Sequence, residues 1–243
     1  MEKKPVPNHV PTAVITGATK GLGRAIAEIF AANGFDLCVC ARTTADLEAM
    51  QRHWASAFPQ RELFVCAADL GNKADVLSFA DAVRGRWSRV DVLVNNAGLF
   101  LPDTVSGETE EAFELLLRVN LHSAYYLTRA LLPLMRPHRQ GHVFNMCSIA
   151  SLHAYPNGAS YSISKFALLG FSKALREEMK TEGIRVTALL PGAAWSDSWR
   201  GVSLPTDRLM QADDVAKTVW AAYQLSGSAV VEEVLLRPQL GDL

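Results

Sequence analysis

No run of apolar residues in this 243-residue chain is long and uncharged enough to cross a bilayer, which takes about 20 residues. The stretch from Met1 to Pro11 carries three prolines and no apolar segment, and it reads as neither a signal peptide nor an anchor. Neither sign of charge is in excess. The 24 Lys and Arg face 25 Asp and Glu, a formal net charge of -1, so there is no electrostatic case for nucleic acid or an anionic membrane as partner. Cysteine is scarce: Cys38, Cys40, Cys66 and Cys147 lie in or beside apolar runs, no Cys/His spacing matches a zinc site, and buried free thiols are expected rather than a metal centre. Repeats, low-complexity tracts and a linker long enough to separate domains are missing as well. The expectation is one cytoplasmic domain over residues 1–243, with residues 1–11 as a flexible N-terminus.

What the chain does have is alternation. Short apolar runs at Thr12–Thr16, Asp36–Cys40, Glu62–Ala67, Val90–Asn95, His142–Cys147, Arg185–Leu190 and Val230–Leu236 read as strands. Between them, Gly21–Asn33, Thr44–Phe58, Lys73–Trp87, a long Glu108–Arg136, Ser160–Glu182 and Ala212–Gln224 read as helices. Runs such as Val90-Asp91-Val92-Leu93-Val94 are apolar on both parities, as a strand buried on both faces requires. This pattern predicts a three-layer α/β fold, a doubly wound parallel sheet of the Rossmann type, whose ligands bind beyond the carboxyl ends of the strands.

Thr16-Gly17-Ala18-Thr19-Lys20-Gly21-Leu22-Gly23 follows the first strand and runs into a helix. Glycines let backbone N–H groups approach an anion, and the helix N-terminus adds about half a positive charge, so the turn suits a dinucleotide pyrophosphate. After the second strand, where a carboxylate would select NAD, stand Ala41 and Arg42; Asp36 is too early and Asp46 falls within the next helix. Arg42 with Lys20 can neutralise a 2′-phosphate, which predicts NADP(H).

Tyr161 and Lys165 are four positions apart at the start of a helix, hence on one face, and Ser148 lies thirteen positions before Tyr161 at the end of an apolar run. A carbonyl that accepts hydride becomes an alkoxide, which calls for a proton donor and hydrogen-bond donors aimed at the growing charge. Tyr161 and Ser148 qualify, and Lys165 is expected to favour the ionised phenol.

The ordered set Thr16–Gly23, Asp69-Leu70, Asn95-Asn96-Ala97-Gly98, Asn120, Ser148, Tyr161-x-x-x-Lys165 and Pro191-Gly192 resembles the short-chain dehydrogenases/reductases over nearly the whole chain. The resemblance implies a catalytic set of Asn120, Ser148, Tyr161 and Lys165, with Asn120 in a water-linked proton relay and Lys165 also on the nicotinamide ribose. It further implies cofactor contacts from Gly17, Thr19, Lys20, Gly21, Leu22, Gly23, Arg42, Thr43, Asp69, Leu70, Asn96, Ala97, Gly98, Tyr161, Lys165, Pro191 and Gly192. Asp69 is placed at the adenine and Asn95 and Gly98 along the cofactor. Ser196 stands where the family pattern has Thr, keeping a hydroxyl for cofactor contact, and the ending Val230–Asp242 looks like the bacterial sepiapterin-reductase-like members rather than the fatty-acid ketoreductases.

The activity implied is NADPH-dependent reduction of a ketone, with a sepiapterin-like or dicarbonyl substrate. One alternative is a 3-oxoacyl-acyl-carrier-protein reductase, for which Arg129, Arg136, Arg139, Lys173 and Arg176 would form the basic patch; a non-catalytic nucleotide sensor is another. Leu99, Phe100, Leu101, His153, Tyr155, Trp195 and Trp199 are expected around the substrate, with residues 193–210 as a lid. Ala167, Gly170 and Ala174 suit close helix contact, and a homodimer or homotetramer is expected.

Overall fold

The computed structural model describes residues 9–195 and 203–241. The strands are Thr12–Thr16 (β1), Asp36–Ala41 (β2), Leu63–Ala67 (β3), Val92–Asn95 (β4), Gly141–Met146 (β5), Ile184–Pro191 (β6) and Glu233–Leu236 (β7). All pairings are parallel, in the order β3-β2-β1-β4-β5-β6-β7. The helices are Gly21–Ala32 (α1), Thr44–Ala57 (α2), Lys73–Arg86 (α3), Glu110–Leu117 (α4), Ser123–Met135 (α5), Ala159–Met179 (α6) and Ala212–Tyr223 (α7).

Side chains alternate across each strand, so one strand feeds two cores. Ala13 and Ile15 of β1 pack with Ile26 and Phe30 of α1, Trp54 of α2 and Val219 of α7, while Val14 packs on the other face with Phe79 of α3, Leu131 of α5 and Leu175 of α6. Phe30 and Phe35 meet Trp220 and Tyr223 edge to face at 5.3–6.1 Å, which fastens α1 to α7. The chain winds from β1 outward to β2 and β3 on one side and to β4 through β7 on the other. The crevice between the carboxyl ends of β1 and β4 is therefore the topological switch point, where ligands of such sheets bind.

The expected long helix is interrupted. Between α4 and α5, Arg118–His122 form a π-helical turn, an extra residue in the hydrogen-bond ladder that rotates the side chains within it. The last strand is shorter than expected, beginning at Glu233; Val231 instead accepts from Thr187 Oγ1 at 2.6 Å. The flexible N-terminus expected over residues 1–11 and the lid expected over 193–210 fall partly on 1–8 and 196–202, outside the described residues.

Candidate active site

One cavity of about 1020 Å³ runs along the carboxyl ends of the strands. One end of it is walled by Gly17, Thr19, Lys20, Gly21, Leu22 and Gly23 of the first turn, by Arg42, Thr43 and Asp46 after β2, and by Asp69 and Leu70 after β3. The glycine turn is held shut by Asn96, whose Nδ2 donates to the carbonyls of Thr16 at 2.9 Å and Gly17 at 3.1 Å. A Cβ on Gly23 would stand 2.4 Å from Gly17 O, so only glycine fits. Gly17 itself has φ +63°, a left-handed conformation that a side chain would strain. Among the described residues no side chain caps the N-terminus of α1, and no acidic residue stands in its first turn. An open, uncapped helix start behind a turn too tight for a Cβ fits the phosphates of a dinucleotide.

Ser148, Tyr161 and Lys165 converge at the other end, with Pro191, Gly192, Ala193 and Ala194 facing them. Ser148 Oγ accepts from Ala150 N at 3.1 Å and lies near enough to the Tyr161 hydroxyl to favour its ionised form. Lys165 is 3% exposed and donates from Nζ to Met146 O at 2.7 Å. Burial pulls its ammonium down to about 8. The phenol of Tyr161 moves the opposite way from the sequence-based expectation: burial raises its pKa, only partly opposed by Ser148. Lys165 Nζ lies 5.7 Å from the Tyr161 ring centroid and spends its hydrogen bond on a carbonyl, so desolvation of a phenolate outweighs the cation. Tyr161 keeps its proton at neutral pH.

The π-helical turn delivers Asn120. Its Nδ2 donates to Leu99 O and Ser164 Oγ, both at 2.9 Å, and its Oδ1 accepts from Leu99 N at 2.7 Å. Asn120 thus sits behind the cavity wall, clamping the segment that carries Gly98. A Cβ on Gly98 would meet Lys165 Nζ at 3.4 Å and Asn120 Oδ1 at 3.5 Å, which shows how closely the two groups approach there.

Several expected roles change. Asn95 does not line the cavity: the last residue of β4, it is buried and donates to Thr128 Oγ1 at 3.0 Å and Asn145 Oδ1 at 2.8 Å, tying β4 to β5 and α5. Asp69 lines the cavity and also closes a turn, accepting from Gly71 N at 2.9 Å. Asn96, Ala97 and Gly98 do line it. Leu101 and Trp195 do not line the cavity, and Trp195 Nε1 donates to Thr206 O at 2.8 Å within its own loop. Trp199 and Ser196 lie outside the described residues. The aromatic wall is instead Phe100, packed edge to face on Tyr161 with centroids 5.0 Å apart, and Tyr155, beside His153. The expected basic patch is largely neutralised: Arg136 pairs with Glu178, Lys173 with Glu233 and Arg176 with Glu232, while Arg139 donates to Thr181 O and Arg129 lies over the Tyr125 ring. Arg237, which carries no motif, lines the cavity too.

The model of the short chain dehydrogenase family matches residues 11–204. This chain is a short-chain dehydrogenase. It is 34% identical over 238 residues to the sepiapterin reductase of Chlorobaculum tepidum, covering 95% of this chain and 97% of that protein. Among solved structures it resembles the alcohol dehydrogenase of Thermococcus sibiricus complexed with 5-hydroxy-NADP, with a TM-score of 0.87, 28% identity, and 95% and 97% of the two chains covered. It also resembles the L-sorbose reductase of Gluconobacter frateurii complexed with NADPH and L-sorbose, with a TM-score of 0.85, 25% identity, and 93% and 94% covered. As a short-chain dehydrogenase it is an oxidoreductase with the Rossmann sheet described above. Among the described residues no helix is long and apolar enough to cross a membrane.

Proposed function

We propose that the protein reduces a ketone to an alcohol with NADPH, and that Tyr161 is the acid. The observation that carries this is Ser148 beside Tyr161, the phenol kept protonated by burial, at one end of a cavity whose other end is a helix N-terminus with no side-chain cap among the described residues. Lys20 and Arg42 at that far end support NADPH over NADH, since no carboxylate stands directly after β2 and the first one to follow, Asp46, lies in the first turn of α2. The relatives solved with 5-hydroxy-NADP and NADPH support the same choice.

Bound NADPH supplies the hydride. The carbonyl oxygen sits between the hydroxyls of Ser148 and Tyr161; Ser148 donates to the charge that grows there and Tyr161 gives up its proton to it. Lys165, one helical turn away, would hold the nicotinamide ribose and steady the phenolate left behind. Asn120, fixed by Leu99 and Ser164, would take part in a water chain that returns the proton by way of Lys165. Phe100 shields the phenol from solvent.

A sepiapterin-like or dicarbonyl substrate agrees with the aromatic wall of Phe100 and Tyr155 and with the sepiapterin reductase similarity. Assembly into a homodimer or tetramer through α5 and α6 is supported by Tyr125, Ile163 and Phe166, 39–46% exposed on those helices, and by the open space beside Gly170. The test is NADPH oxidation against sepiapterin, a vicinal diketone and a 3-oxoacyl thioester, with NADH in parallel. Turnover of at least one ketone, faster with NADPH, is expected. NADPH binding without turnover of any carbonyl would overturn the reading in favour of a sensor.

A further inference from the structure

We propose that Arg237 anchors an anionic group carried by the substrate close to its ketone, which narrows the two substrate classes above to the dicarbonyl one, as an oxo acid, and sets aside the neutral sepiapterin-like one. This rests on the reductase reading above. Arg237 is the residue immediately after β7 and lines the cavity together with Pro191, Gly192, Ala193 and Ala194. Gly192 N donates to Leu236 O at 2.7 Å, and Pro191 and Leu236 are partners in the sheet, so Arg237 starts level with the segment that faces Ser148. Its backbone is pinned on the other side as well: Gly241 N bonds Pro238 O at 2.8 Å, and Arg208 Nη1 holds Gly241 O at 2.8 Å.

Sheet geometry decides which anion it can serve. Neighbouring strands are about 4.8 Å apart, so Arg237 starts two spacings, about 10 Å, from the end of β5 that carries Ser148. The glycine turn after β1 is four spacings away, about 19 Å. An extended arginine reaches about 6–7 Å, which brings its guanidinium within a few ångströms of a substrate held at Ser148 but leaves it well short of the pyrophosphate cradle. Charge along the cavity is divided in the same sense. Among the described lining residues the carboxylates, Asp46 and Asp69, both belong to the β2–β3 side, and the cations of the reacting half are Lys165 and Arg237. A planar guanidinium at that distance suits a carboxylate one or two bonds from the ketone.

The experiment compares phenylglyoxylate with its methyl ester, a pair alike except for the charge, on the wild type, Arg237→Ala and Arg237→Lys. The wild type is expected to prefer the acid by about tenfold or more in kcat/KM; the alanine variant should lose about ten- to a hundredfold on the acid and far less on the ester, with lysine recovering part of the loss. Equal losses on acid and ester, or a wild type that prefers the ester, would overturn the proposal. A raised KM for NADPH with the acid preference intact would also overturn it, reassigning Arg237 to the cofactor phosphates. Calorimetric binding of mandelate and mandelamide to the enzyme with NADP+ reads the same contrast without turnover. If neither ketone is reduced but mandelate binding still depends on Arg237, the anion anchor stands and the reductase reading falls. Mandelate binding that does not change in Arg237→Ala would refute the anchor.

Discussion

The two ends of the sheet treat polar groups in opposite ways. At the amino end, Asp91 just before β4 accepts from His9 Nε2 at 2.8 Å, Thr12 N at 2.9 Å and Arg89 Nε at 2.6 Å, while Asp36 at the start of β2 accepts from Glu62 N at 2.9 Å. Because a carboxylate only accepts, the His9 proton sits on Nε2. At the carboxyl end, α1 begins without a side-chain cap, and the buried Lys165 has one hydrogen-bond acceptor among the described residues. Saturated charges at one end hold strands in register; donors left open at the other end await a ligand. The functional end is where the fold gives up stability.

Substitutions at the two ends should therefore move different observables. The largest expected effect is at Lys165: Lys165→Met removes a buried ammonium that burial has already pulled down to about 8. It should lower kcat by about a hundredfold or more while raising Tm, because a desolvated cation with a single partner is replaced by an apolar chain of similar length. A fall in both would break the contrast between the ends. Next, Asp91→Ala should cost about 3 kcal/mol of stability in urea unfolding, since it leaves Arg89 and Thr12 N without their acceptor, and should leave kcat/KM of the folded enzyme within twofold. Gly23→Ala, whose new Cβ would stand 2.4 Å from Gly17 O, should weaken NADPH binding about tenfold or more in fluorescence titration.

The smallest effect is one of pH. His142 in β5 is fully buried, stacked on Phe144, and its Nε2 lies 2.7 Å from Thr187 Oγ1. Thr187 already donates to Val231 O, so Nε2 must carry the proton, and Nδ1 has no partner among the described residues. Burial holds its pKa well below the ordinary histidine value, with Arg185 adding to the effect. As pH falls below about 6.5 the unfolded chain takes up a proton that the folded one refuses. The stability due to His142 is complete above that pH and is lost progressively below it. His142→Leu should remove one proton from the pH dependence of unfolding between about pH 5 and 6.5.

Much of this was legible in the sequence, and the reasons differ by residue. The order of strands and helices followed from apolar parity, and the Gly17–Gly23 turn and the Tyr161/Lys165 spacing are local patterns that survive folding unchanged. Asn120 was legible as a member of a set, whereas the π-helical turn that aims it was not, because one extra residue in a hydrogen-bond ladder leaves the apolar periodicity almost untouched. Asn95 misleads because its neighbours line the cavity; only the pairing of β4 with β5 shows it facing Asn145. The basic residues of α5 and α6 lost their meaning once Glu178, Glu232 and Glu233 were placed beside them. Arg237 had no local signal at all: its place depends on β7 being parallel to β6, a contact between distant parts of the chain. The acidity of Tyr161 turned on burial, which a spacing of four residues does not report.

The central claim is that Tyr161 is the proton donor of an otherwise complete site. Its direct test is Tyr161→Phe, measured for kcat with the best ketone, for NADPH binding by fluorescence and for Tm by calorimetry. The account predicts a loss of kcat of about a thousandfold with cofactor affinity within threefold and Tm within about 2 °C of the wild type. Turnover retained within tenfold of the wild type would contradict it.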